Sequence, residues 1–118
     1  FDLDQTLYQL KNNQEFSYDI LNKDDQLNYL LFMLPLYKLI FTNGTYNHGL
    51  HCLNNLDITE NFNSITSRDK IKCLKPEFNA YQRFMNLNKI FNFLRRILKE
   101  YNKSNIIEYA FRIDHKTI

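Results

Sequence analysis

The stretch YKLIFTNGT, residues 37–45, joins a short apolar run to a polar turn, and it decides the fold class of the chain. The run Tyr37–Phe41 has the length and apolar character of a central strand in a parallel sheet. Residues 42–45 form the turn, Thr45 is suited to the N-cap position, and apolar residues recur at helical spacing from Leu50 to Leu56. A strand, a turn and a helix in succession predict an α/β fold.

The rest of the chain continues this alternation. The other predicted elements are strands at residues 1–3, 62–66 and 106–113, a helix at residues 17–34 in two pieces broken near Asp24, and a long helix that begins at Pro76. The chain has 118 residues, which is the size of one domain. We therefore predict a single α/β domain over residues 1–118, with a three-layer, Rossmann-like parallel sheet.

Composition excludes several classes of partner. The net charge of +2 is too small to indicate binding to DNA or RNA. The longest apolar run, Tyr29–Leu36, is too short to cross a membrane. Two cysteines, Cys52 and Cys73, without a signal peptide predict free thiols and a cytoplasmic location.

The stretch FDLDQTLY, residues 1–8, places Asp2 and Asp4 directly after an apolar strand end. Two carboxylates this close repel each other, so a purely structural protein gains little from the pair. A site that handles a metal ion or a phosphoryl group gains a nucleophile and a ligand. The alternative is that both aspartates only form a turn.

Two further groups of polar residues are predicted at the edge of the sheet where parallel strands end, which is where ligands bind in such folds. Thr42 and Asn43 follow the strand of residues 37–41, and Lys75 precedes the last long helix. A hydroxyl group and a lysine can hold phosphoryl oxygens, while two carboxylates can serve as nucleophile and as general acid and base. The plainer alternatives are a turn at Thr42 and a surface lysine at Lys75.

Taken together, FDLDQTLY (1–8), IFTNGTYNH (40–48) and KPEFNAY (75–81) resemble the ordered motifs of the haloacid-dehalogenase-like (HAD) hydrolases. The resemblance is closest to the pyrimidine 5′-nucleotidase-like branch and covers residues 1–8 and 37–90. It implies a Mg²⁺-dependent phosphomonoester hydrolase that acts through an aspartyl-phosphate. Its implied partner is a small phosphorylated substrate, with a nucleoside 5′-monophosphate as the candidate.

The resemblance also implies roles for individual residues. Asp2 would be the nucleophile and Asp4 the general acid and base. The Asp2 carboxylate and the Asp4 backbone carbonyl would bind Mg²⁺. The phosphoryl group would be bound by Thr42, Lys75 and the backbone around Asn43, with Thr6 fixing the turn.

The chain departs from the family pattern in two places. The family's fourth motif has two acidic residues that complete the Mg²⁺ site, whereas here Asp114 is followed by His115. The segment at about residues 9–36, where the branch carries a helical cap, is short. We expect a reduced cap, and we expect part of the family core to lie outside this sequence. The alternative is a catalytically impaired HAD-like domain that binds a phosphorylated ligand or a protein partner.

One cluster of potential metal ligands lies on a predicted helix. His48, His51 and Cys52 are spaced at i, i+3 and i+4, which is compatible with Zn²⁺. No fourth ligand is evident in the sequence, and the histidine at this place in the family is not a zinc ligand. The spacing alone therefore does not predict a zinc site.

Overall fold

The strands predicted at residues 37–41 and 62–66 pair with each other in a parallel sheet. The structure, a computed structural model, describes residues 1–89. Strand β1 (Leu39–Phe41) pairs in parallel with β2 (Ser64–Thr66), and Ile40 is the partner of Ile65. Both strands are shorter than predicted, and they form the sheet of a small mixed α/β fold.

Phe1 extends the parallel pairing on the other side of β1. Its amino group donates to Leu39 O at 2.6 Å, and Phe41 N donates to Phe1 O at 2.8 Å. Successive backbone groups of a strand point to alternate sides, so these bonds face away from β2. Because all three segments run parallel, the chain emerges from them at the same edge of the sheet, at residues 2, 42 and 67.

Helix α2 (Tyr46–Leu56) follows β1 and confirms the predicted strand, turn and helix. The Thr45 hydroxyl accepts from His48 N at 3.2 Å, so Thr45 is the N-cap, as predicted. The helix ends at Leu56, and its C-cap residue Asp57 has a left-handed backbone conformation. Its inner face joins an apolar core of Leu3, Leu7, Leu21, Leu31, Ile40, Cys52, Leu53, Leu56, Ile58 and Ile65.

The segment between the first two motifs contains a 3₁₀ turn (Tyr18–Ile20) and helix α1 (Asp25–Met33). Asp24 caps α1 by accepting from Leu27 N at 2.9 Å, which confirms the predicted break. The first of the two predicted helical pieces is only the 3₁₀ turn. The segment is held against α2, because Asn55 Nδ2 donates to Tyr18 O at 2.9 Å and Asp24 N donates to Leu56 O at 3.1 Å. Its role as a cap stays a prediction.

The residues described fall into two units, 1–70 and 71–89. A 3₁₀ turn (Thr59–Asn61) lies between α2 and β2, and the short helix α3 (Arg68–Ile71) follows β2. Helix α4 (Phe78–Leu87) begins two residues after Pro76, with Glu77 at the N-cap position.

The predicted strand at 106–113 and Asp114 lie outside the residues that the structure describes. Within residues 1–89, no helix has the length and apolarity of a membrane span.

A candidate active site around Asp4 and His48

A tight turn after Phe1 presents the two aspartates. The buried Leu3 carbonyl accepts from Thr6 N at 3.2 Å and from Leu7 N at 3.0 Å. Gln5 has a φ of 61°, in the left-handed region, which lets the chain reverse at this point. The Thr6 hydroxyl donates to Asp2 Oδ2 at 3.0 Å. The turn therefore fixes the Asp2 side chain directly.

The two oxygens of the Asp4 carboxylate differ in their surroundings. Oδ1 accepts hydrogen bonds from the Tyr8 hydroxyl and from His48 Nε2, the latter at 2.8 Å. Oδ2 receives no hydrogen bond from any residue in 1–89, and the side chain is 41% exposed. One oxygen is thus held in place by two donors, while the other has no donor within these residues.

The hydrogen bonds of His48 define its tautomer. A carboxylate can only accept, so we assign the proton to Nε2, which donates to Asp4. His48 Nδ1 lies 2.8 Å from the Tyr18 hydroxyl, which then donates to it. Phe16 packs edge-on against the imidazole with 5.3 Å between ring centroids. Both nitrogens and one edge of the ring are therefore engaged, which fixes its orientation.

Tyr8 and Cys52 lie beside the contact between Asp4 and His48. Cys52 Sγ lies 3.6 Å from His48 Nε2 in the apolar core. Burial, with the nearby Asp4 charge, raises the pKa of the Cys52 thiol to about 11. Burial and the hydrogen bond to Asp4 raise the pKa of Tyr8 well above its ordinary value. Both groups are therefore protonated at neutral pH.

The turn after β1 brings the second motif against the first. Thr42 is 1% exposed, and its hydroxyl accepts from Gly44 N at 3.0 Å. A Cβ on Gly44 would lie 2.9 Å from His48 Cδ2, and a Cβ on Gly49 would lie 3.3 Å from Ile65 Cγ2. The absence of side chains at both glycines lets α2 approach the sheet and lets His48 reach Asp4.

The structure places only some of the predicted site residues in one unit. Asp2, Asp4 and Thr42 belong to the first unit. There the His48 ring bonds to Asp4, and the His48 backbone N donates to Thr45 in the turn that follows Thr42. Asn43 follows Thr42 and is exposed. Lys75 belongs to the second unit, so its convergence with Asp2 stays a prediction. The proposed metal ligand Asp114 lies beyond residue 89.

Sequence reasoning missed the residues that surround Asp4. The Tyr8 hydroxyl bonds to the Asp4 carboxylate. His51, grouped by spacing with His48 and Cys52, instead stacks on Tyr18 with 3.7 Å between ring centroids. The i, i+4 spacing of Asp4 and Tyr8, and the place of His48 in the first turn of α2, were the available signals.

Neither a protein-family model nor a curated protein matches this chain.

Proposed function

We propose that the protein is a Mg²⁺-dependent phosphomonoester hydrolase of the HAD type, acting through phospho-Asp2, with a nucleoside 5′-monophosphate as the candidate substrate. The proposal includes a three-layer Rossmann-like core and a minimal cap at about residues 9–36. Its main support is the 41% exposed Asp4 carboxylate, of which one oxygen is fixed by two donors and the other accepts no hydrogen bond from residues 1–89.

This arrangement suits a general acid and base. With Oδ1 occupied by the hydroxyl of Tyr8 and the Nε2–H of His48, a transferable proton on Asp4 resides on Oδ2. From there it protonates the leaving oxygen of the ester, and the carboxylate then accepts a proton from the attacking water. The two donors also hold the carboxylate in one orientation, which proton transfer requires.

Asp2 is suited to the nucleophilic role. It lies two residues before Asp4 on the same turn, and the Thr6 hydroxyl orients its carboxylate. Attack by this carboxylate on phosphorus forms an acyl-phosphate and releases the alcohol, and water then cleaves the intermediate. We assign the binding of phosphoryl oxygens to Thr42, to the backbone around Asn43 and to Lys75. The Thr42 hydroxyl also shapes the turn, because it accepts from Gly44 N.

The oxygens near the turn fit Mg²⁺. The Asp4 backbone carbonyl accepts no hydrogen bond within residues 1–89, and the Asp2 carboxylate belongs to the same turn, two residues earlier in the chain. Mg²⁺ takes oxygen ligands and commonly binds through one or two carboxylates, waters and substrate phosphate. When bound, the ion would neutralise charge on the phosphoryl group. We expect weak binding, because the other expected carboxylate, Asp114, has no acidic neighbour.

The test is a phosphatase assay over nucleotides and sugar phosphates, with Mg²⁺ and with a chelator. Acid quenching during turnover should trap phosphate on the protein in a form that hydroxylamine releases, as an acyl-phosphate requires. Turnover without such trapping would contradict the phospho-Asp2 step. Binding of phosphate esters without turnover would instead support the impaired binding domain.

A further inference from the structure

We propose that Asp4, His48 and Cys52 form a second metal site, specific for a borderline-soft divalent ion of the Zn²⁺ type, and that an ion bound there inhibits the proposed hydrolase. This site uses the Asp4 side chain, whereas the Mg²⁺ site proposed above uses its backbone carbonyl. The inhibitory part rests on the proposed function, and the binding part does not.

Three different ligand types meet at this point. A carboxylate oxygen of Asp4, a ring nitrogen of His48 and the Sγ of Cys52 all lie within 4.8 Å of one another. His48 Nε2 is the shared neighbour, at 2.8 Å from Asp4 Oδ1 and 3.6 Å from Cys52 Sγ. Asp4 comes from the turn after Phe1, and the other two residues lie one turn apart on α2.

The spacing is near that of a tetrahedral zinc site. Zn–S bonds of about 2.3 Å and Zn–N bonds of about 2.0 Å imply a sulfur–nitrogen separation of about 3.5 Å. The observed separation between Cys52 Sγ and His48 Nε2 is 3.6 Å. The oxygen–nitrogen edge of such a site is about 3.3 Å, so Asp4 must move away from His48 by about 0.5 Å. Its half-exposed side chain leaves room for that movement and for water as a fourth ligand.

The surroundings of His48 can accommodate the change of tautomer that metal binding requires. A metal bound to Nε2 requires the proton on Nδ1, where the Tyr18 hydroxyl can accept it as readily as it now donates. Metal-binding histidines commonly have such a partner on the other nitrogen, which fixes the ring. The Tyr8 hydroxyl can still donate to Asp4. Metal binding therefore leaves none of these half-buried polar groups without a partner.

The types of ligand atom at this site favour Zn²⁺ over Mg²⁺. Imidazole and thiolate bind Zn²⁺ and Co²⁺ well, while Mg²⁺ selects oxygen ligands. On binding, the Cys52 thiol transfers its proton to solvent and the sulfur bonds to the ion. The positive charge of the ion offsets the two negative charges then held by Cys52 and Asp4.

Occupation of the site would disable Asp4. A carboxylate bound to the ion cannot carry the proton that the leaving group needs, and its movement takes it out of the orientation set by His48. The same protein would then require Mg²⁺ for turnover and lose turnover in the presence of Zn²⁺. Free zinc is thus the inferred inhibitor, through the side chain of the general acid.

Binding is tested with Co²⁺ as a spectroscopic probe. The wild-type protein should take up one Co²⁺ per chain and show a near-ultraviolet thiolate-to-cobalt band, which Zn²⁺ removes by competition. Cys52→Ser should lose this band and His48→Ala should weaken uptake at least tenfold, while both remain folded by circular dichroism. Cys73→Ser is the matched control, because it removes the other thiol of the chain and should keep the band.

Absence of the band in the wild type, or its persistence in Cys52→Ser, would overturn the site. Tyr18→Phe should weaken Co²⁺ binding about tenfold, as loss of the partner on a ligating histidine does. Inhibition is tested separately, by comparing the rate of each variant with and without Zn²⁺ at saturating Mg²⁺. Cobalt binding without inhibition would refute the inhibitory role alone, and absence of any phosphatase activity would count against the proposed function.

Discussion

His48 Nε2 lies 2.8 Å from Asp4 Oδ1, although the two residues are 44 positions apart in the chain. The contact depends on two local features, the turn that follows Phe1 and the first turn of α2. It also depends on the parallel pairing that places both at one edge of the sheet. In the proposed reaction His48 is a positioning residue, because it acts on the substrate only through Asp4.

Replacing His48 should therefore affect substrates according to their leaving groups. His48→Ala should lower kcat for an alkyl phosphate about tenfold, since one hydrogen bond to a charged group is lost. The rate with p-nitrophenyl phosphate should change much less, because that leaving group needs little protonation. Steady-state kinetics on both substrates measures the difference.

His48→Gln is expected to restore part of the lost rate, because its amide can donate to Asp4. Asn47→Ala, at an exposed position on the same turn of α2, is the control and should behave as the wild type. An equal loss on both substrates would show that His48 serves the fold rather than the orientation of Asp4.

Asp2→Asn should abolish turnover while leaving the protein folded. The amide keeps an oxygen that can accept from the Thr6 hydroxyl, but it cannot form the acyl-phosphate. Loss of one negative charge beside Asp4 leaves stability unchanged or slightly higher. Activity and urea denaturation are measured together, with the exposed Asp19→Asn as the charge-matched control. Normal turnover in Asp2→Asn would exclude Asp2 as the nucleophile.

Gly44→Ala should impair the site more than it impairs the fold. The added Cβ would lie 2.9 Å from His48 Cδ2, so the imidazole must move and its bond to Asp4 must weaken. Overpacking of this kind costs about 1–3 kcal/mol when the structure cannot relax, and a side chain at the edge of the site relaxes more easily than the core. We expect a Tm close to the wild type and the kinetic pattern of His48→Ala. A large fall in Tm with unchanged kinetics would contradict this prediction.

Local signals in the sequence predicted local structure correctly. The N-cap at Thr45, the break near Asp24 and the strands on either side of α2 each depend on neighbouring residues, and the structure confirms them. The Asp4–His48 bond could not be predicted in this way, because it depends on sheet register and on the approach allowed by Gly44. Spacing on the helix likewise grouped His51 with His48, whereas tertiary packing turns His51 onto Tyr18.

Alkaline pH should destabilise the fold through the groups around Asp4. The pKa of Cys52 rises from an ordinary 9.0 to about 11, and that of Tyr8 rises above an ordinary 10.0. As pH increases beyond about 9, the unfolded chain loses these protons before the folded chain does, so the free energy of unfolding falls. The contribution is fully present below about pH 9 and declines above it.

Urea denaturation from about pH 8 to about pH 10.5 measures this effect. Tyr8→Phe removes one of the two groups, so its midpoint should fall less steeply with pH than that of the wild type. Tyr29→Phe, at a position 61% exposed on α1, is the matched control and should follow the wild type. Identical slopes in wild type and Tyr8→Phe would show that Tyr8 titrates alike in both states.

Selectivity among phosphomonoesters should be low. Specificity arises from contacts that differ between competing substrates, and buried polar groups left unpaired by the wrong substrate give the largest differences. The segment at about residues 9–36 supplies few such groups near Asp4. Its Tyr18 hydroxyl is bonded to His48, and Phe16 packs against Tyr8 and Tyr18. We therefore expect values of kcat/KM within about a hundredfold across nucleotides and sugar phosphates. A single substrate that exceeds all others by more would show that this segment, or another part of the chain, encloses the leaving group.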